Sequence, residues 1–103
     1  MNFIKTIKSS EFVNYLSTGS GRIEIGIKEE DRDYIKDIST SGDNSNAVEA
    51  FRMLPHIQKQ LKKYSDELLK QEIYELGVKD KINDRDELEQ ILVWNLAWDY
   101  SES

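Results

Sequence analysis

From Ala47 to Leu68 the apolar residues fall at Ala47, Ala50, Leu54, Ile57, Leu61, Tyr64 and Leu68, alternately three and four apart, which puts them on one side of an α-helix. Phe51, Leu69, Ile73 and Leu76 widen the stripe, so this stretch needs a broad apolar partner elsewhere in the chain. Pro55 stands inside the run, where proline removes a helical hydrogen bond and clashes with the preceding turn. The stripe keeps its phase across Pro55, which predicts one long helix over about 46–76 with a kink or short break near Met53 and Leu54, rather than two unrelated helices. Gly77 is placed to end it.

The partner surface comes from a different period. Arg22 to Lys28 alternates strictly, with Ile23, Ile25 and Ile27 on one face and Arg22, Glu24, Gly26 and Lys28 on the other, the pattern of a half-buried strand. After the charged run Glu29 to Asp33, Tyr34 to Ile38 is expected to return antiparallel to it, although Asp37 breaks the alternation. A two-stranded hairpin needs a helix against its isoleucine face. Upstream, Ser9 and Ser10 precede Glu11-Phe12-Val13-Asn14-Tyr15-Leu16, which predicts a short serine-capped helix ended by the Ser/Thr/Gly cluster Ser17 to Gly21. Phe3, Ile4 and Ile7 fit either a brief strand or the first turn of that helix. Ser39 to Ser45 reads as a polar loop, with Asn44 or Ser45 capping the next helix.

Asp84 and Glu87 make a capping-box-like start for a last helix over about 84–99, with Asp86 in its first turn. Beyond Ile91 this helix is apolar on almost every side, which requires either a central packing position or a subunit interface. With 103 residues, the chain is the size of one small domain. The expected architecture is α+β: a short β-hairpin packed on a kinked long helix and a C-terminal helix, with a short N-terminal helix.

Composition narrows the chemistry. There is no cysteine, so no disulfide scaffold, thiolate metal site or cysteine nucleophile is available, and the single histidine, His56, has Lys59 and Gln60 rather than ligands at helical spacing. Gly19-Ser20-Gly21 lacks the Gly-Lys-Ser/Thr ending of a phosphate loop and precedes a strand. The acids Glu29, Glu30, Asp31, Asp33 and Asp37 lack EF-hand spacing and are interleaved with Lys28, Arg32 and Lys36, as on a solvated turn. No metal, cofactor or catalytic role is expected.

Net charge is −6 and the pI about 4.8, a balance that repels nucleic-acid backbones and anionic membranes. Residues 84–103 hold six acids and one base and form an acidic pole. The start of the chain, Met1 to Lys8, has no apolar core of a signal peptide, and no apolar run is long enough to span a membrane, which fits a cytoplasmic protein. Trp94 and Trp98 share a helical face, with Asp99 and Tyr100 beside them. Such aromatics serve either a core or a contact surface for a partner or a second copy.

Asn46-Ala47, Leu54-Pro55 and the pair Ile57/Leu61, following a strand and a polar loop, resemble a pattern of small bacteriophage-encoded proteins of unassigned function. The likeness spans roughly residues 22–66, with Val48 to Met53 in place of an alanine-rich run. It implies a phage or prophage origin and, by analogy with anti-CRISPR and anti-restriction proteins, a stoichiometric inhibitor of a host defence or nucleic-acid-handling complex. On that reading the partner-binding acids are Asp84, Asp86, Glu87 and Glu89, then Glu29, Glu30, Asp31 and Asp33. A self-associating phage accessory protein joined through Trp94, Trp98 and Tyr100, and a small-ligand or antitoxin-type binding protein, are the alternatives.

Overall fold

The computed structural model describes residues 12–40 and 45–102. Strands β1 (Asn14–Ser17) and β2 (Glu24–Ile27) form an antiparallel hairpin, and a 3-10 turn at Glu29–Asp31 leads into α1 (Arg32–Thr40). Helices α2 (Ser45–Arg52), α3 (Pro55–Leu61), α4 (Asp66–Glu75) and α5 (Arg85–Glu102) follow, so the fold is α+β with a hairpin packed on helices.

The alternation in Arg22 to Lys28 meets its period. Ile25 pairs with Leu16, and Leu16, Ile23, Ile25 and Ile27 are all buried while Glu24 faces out. Gly26 belongs to the outer face, yet it is buried, because the Phe12 ring lies on it; a Cβ there would come within 2.4 Å of Phe12 Cδ2. The connecting turn closes through the Gly21 N–H on the Thr18 carbonyl at 2.9 Å, with Gly21 at φ +79°, a region open to glycine.

The partner of β2 precedes it in the chain. The helix expected over 11–16 is a strand from Asn14, and the returning strand expected over 34–38 is part of α1. Short apolar runs satisfy either period, and tertiary pairing decides: Leu16 reaches the core opposite Ile25, whereas Ile35 and Ile38, three apart, bury one face of a helix. The acidic run is therefore a helix start, where carboxylates favour the dipole, and not a hairpin tip. Phe3, Ile4, Ile7, Ser9, Ser10 and Asn44 lie outside the described residues.

The leucine seam is three helices, not one kinked helix. Leu54 has ψ 136°, the extended backbone that a following proline imposes, and Pro55 takes the first position of α3, where no N–H is needed. The second break is at Ser65, whose hydroxyl accepts the Leu68 N–H at 3.2 Å and caps α4. The stripe still faces one core, in which Phe51, Ile57, Leu61, Leu69 and Ile73 are buried. Gly77, at φ +103°, ends α4 as anticipated: its N–H bonds the Tyr74 carbonyl and the Val78 N–H bonds that of Ile73, a Schellman pair.

Helix α5 starts where expected, with Asp84 Oδ1 accepting the Asp86 N–H at 3.1 Å. It packs against α1, α2, α4 and β1, and Leu88, Leu92, Val93, Leu96 and Ala97 are buried along it. Its apolar circumference is thus explained by a central position. Among the described residues no helix is long and apolar enough to cross a membrane.

Helix α3 lies along the outer edge of β2 and closes it with side chains. Gln60 Oε1 accepts the Gly26 N–H at 2.7 Å while its Nε2 donates to the Gly26 carbonyl at 3.0 Å. The Tyr64 hydroxyl accepts the Glu24 N–H at 3.1 Å and donates to the Glu24 carbonyl at 3.0 Å. Asp31 Oδ2 accepts the Lys28 N–H at 2.8 Å and is itself held by His56 Nε2 at 2.9 Å. His56 and Gln60 on α3 and Tyr64 in the turn after it are four apart, so one side of this stretch satisfies residues 24 and 26 directly and residue 28 through Asp31, the alternate residues that a third strand would have paired. Gln60→Ala leaves both polar groups of buried Gly26 unpartnered and is expected to lower the unfolding free energy by about 2 kcal/mol or more. Tyr64→Phe, facing exposed Glu24 that water can reach, is expected to cost about 1 kcal/mol or less. Urea denaturation measures both, and an equal or reversed order contradicts the edge-closure account.

Candidate protein-interaction site

The titratable side chains of the interior are turned toward one another. Arg52, on α2, is buried and bonds Glu49 Oε2 at 2.8 Å and Glu89 Oε1 at 2.7 Å. The other oxygen of Glu89 takes Arg85 Nε at 2.7 Å. Arg85 continues to Asp66 and to the carbonyls of Leu61 and Tyr64, each at 2.8 Å, so a cation sits on the open C-terminal end of α3. Burial opposes the charge on both guanidiniums, yet the hydrogen bonds that Arg52 donates to Glu49 and Glu89, and that Arg85 donates to Glu89 and Asp66, outweigh it and hold both above the ordinary arginine range. A second cluster anchors the hairpin turn to α4: buried Glu72 meets Ser20 Oγ and Arg22 Nε, both at 2.8 Å, and Arg22 also reaches Glu75 at 2.7 Å.

Beside the first network lies an apolar cleft of about 330 Å³ between α2 and α5. Ser45 and Val48 form one wall, Gln90, Ile91, Trp94 and Asn95 the other, and Val78 closes the end just past the glycine stop of α4. The rim amides are oriented by their neighbours. Gln90 Nε2 donates to Glu49 Oε1 at 2.7 Å, and Asn95 Nδ2 donates to the Ile91 carbonyl at 2.8 Å. Gln90 is therefore held by the same carboxylate that binds Arg52. Trp94 and Trp98 are stacked, with centroids 5.4 Å apart and planes inclined by 20°, and both are half-buried.

The residues anticipated as partner-binding are dispersed by these contacts. Asp84, just before α5, and Asp86 and Glu87, on its first turn, are exposed, with Asp86 3.6 Å from Arg52, but Glu89 is 4% exposed and committed to two arginines. Glu29, Glu30 and Asp33 are exposed at the start of α1, whereas Asp31 is fully buried between Lys28 and His56. Neither Glu89 nor Asp31 presents a carboxylate to a partner, because each closes an internal backbone or guanidinium group. Of the aromatic set, Trp94 lines the cleft, while Tyr100 stands at the other end of α5 with its hydroxyl 3.3 Å from Asn14 Nδ2. His56 positions the Asp31 carboxylate that caps the end of β2.

Nothing in the sequence alone marks Val48, Gln90 or Asn95 as lining such a cleft. The signal for Ile91 was present, since it opens the stretch of α5 that is apolar all round. Nothing in the sequence joins Val78 to them. No family model matches the chain, and neither curated proteins nor solved structures yield a match.

Glu89→Gln removes the charge shared by two arginines and is expected to destabilise the fold by about 3 kcal/mol, the cost of breaking a buried pair. Asp86→Asn, on the exposed side of the same turn, is expected to change stability by about 0.5 kcal/mol or less. Chemical denaturation of the two variants checks the contrast, and a Glu89→Gln protein as stable as wild type contradicts the network's role.

Proposed function

We propose that this chain is a non-catalytic protein-binding module that receives apolar side chains of its partner in the cleft between α2 and α5. The observation that carries the reading is the lining of that cleft. Val48, Val78, Ile91 and Trp94 supply apolar contact, Ser45, Gln90 and Asn95 supply polar groups, and among the described residues no ionisable side chain lines the cleft. An apolar centre with an oriented amide rim is the make-up of a recognition surface, and a half-buried tryptophan brings large contact area at small entropic cost. The exposed carboxylates of Asp84, Asp86 and Glu87 at the start of the same helix supply long-range attraction for a partner with a basic surface. Together with the resemblance to small phage proteins, this supports a stoichiometric inhibitor acting in the host cytoplasm on a defence or nucleic-acid-handling complex.

The test is capture from a bacterial host lysate with the immobilised full chain and with Ile91→Lys, which puts a charge into the cleft. The expected result is a protein retained in stoichiometric amount by the wild type and lost by Ile91→Lys, with the melting temperature of the variant within a few degrees of wild type. Retention of the same protein by both, or no retained protein together with a dimeric mass of the free chain, contradicts the reading.

A further inference from the structure

The two edges of the hairpin differ. Along β2 the backbone groups of Glu24, Gly26 and Lys28 are taken by Tyr64, Gln60 and Asp31. Tyr15 and Ser17 stand opposite Gly26 and Glu24, whose polar groups point to those side chains, so the backbone groups of Tyr15 and Ser17 point the other way, out of the hairpin. Among the described residues, the Tyr15 N–H is met by Asn14 Oδ1 alone, at 3.2 Å. Among the described residues, the Tyr15 carbonyl and both backbone groups of Ser17 have no partner. Val13 and Tyr15, at 49% and 36% exposure, are among the exposed large hydrophobic residues. Phe12 to Thr18 holds no lysine, proline or charged residue, the devices that usually blunt an edge.

A groove of about 250 Å³ runs beside this edge, lined by Tyr15, Leu16, Ser17, Leu96, Asp99 and Tyr100. Its far wall is the end of α5, where Asp99 and Glu102 are exposed and the last turn holds no basic residue to offset the negative end of the helix dipole. Among the described residues, Asp99 forms no ion pair.

The geometry points to β1 as a strand-addition site: an extended segment of a partner protein pairs with the backbone of Tyr15 and Ser17 and sets a lysine or arginine against Asp99. Main-chain bonds supply the attachment and the groove selects alternate side chains. A second copy of this chain is the poorer occupant, because symmetric pairing through β1 brings a second Asp99 and Glu102 toward the first pair. This surface is separate from the α2–α5 cleft, and its test does not depend on that cleft.

The probe is an end-blocked peptide of about eight residues, the length of an ordinary strand, alternating valine and lysine, with a valine–glutamate peptide as control. It is titrated into the isotopically labelled full chain and followed by NMR. Expected are amide shifts concentrated at residues 15–17 and 96–100, slowed exchange of the Ser17 amide, and no response to the glutamate peptide. Asp99→Lys and Ser17→Pro, which removes the outward N–H, should each weaken binding about tenfold or more. Circular dichroism checks that Ser17→Pro is folded, and if it is not, Asp99→Lys decides alone. Shifts that map to Ile91 and Trp94, unchanged binding by the folded variants, or a free chain that is already dimeric with its Ser17 amide protected would each overturn the proposal.

Discussion

The fold depends on the closure of β2 by the side chains of Gln60, Tyr64 and the Asp31–His56 pair. A two-stranded hairpin is marginal in water, and a helix as short as α3 does not persist alone, so each needs the other. Burying Ile25 and Ile27 under the helices removes the adjoining backbone from water, and the polar groups of Gly26 must then find partners within the protein. Gln60 imitates a strand neighbour by giving and accepting at one residue, as Tyr64 does with a single hydroxyl. The closure fixes the angle of α3, which in turn places Pro55 and the turn after Arg52.

The Glu49–Arg52–Glu89–Arg85–Asp66 chain joins α2, α5 and the start of α4, and Arg85 also caps the end of α3. Hydrophobic burial along α5 is non-directional; the paired charges select one rotation of that helix. The rotation that buries Glu89 also turns Gln90, Ile91 and Trp94 toward Val48, and the cleft follows from it. In the same way, α3 covers the hairpin on its β2 edge, and among the described residues the Tyr15 carbonyl and both backbone groups of Ser17 on β1 have no partner.

Much of this was legible where one residue type has one use. Strict alternation marked β2, Gly77 marked the end of α4, Asp84 marked the start of α5, and a helix apolar on every side implied a central place. The assignments of β1 and α1 were exchanged because Phe12 to Leu16 and Tyr34 to Ile38 are too short to show a period, and long-range pairing chose between them. The seam kept its phase although the chain broke twice, since separate helices can line the same core. Leu54 takes an extended backbone before Pro55 and so ends one helix there, and Ser65, followed by Asp66 and Glu67, is a cap hidden within a leucine-rich run. Among the candidate acids, only the fold separates Asp31 and Glu89, buried and paired, from the exposed carboxylates beside them.

Among the described residues, side chains close the β2 edge of the hairpin, while on the β1 edge both backbone groups of Ser17 have no partner. Amide hydrogen exchange of the free chain, resolved by residue, tests that asymmetry most directly. The account predicts that Gly26 and Lys28, whose N–H groups face away from β1 and are held by side chains, are protected to nearly the degree of Ile25, while Ser17, inside a strand, exchanges at the rate of an open loop. Gly26 and Lys28 exchanging as fast as Ser17, or Ser17 protected as strongly as Ile25, would contradict it.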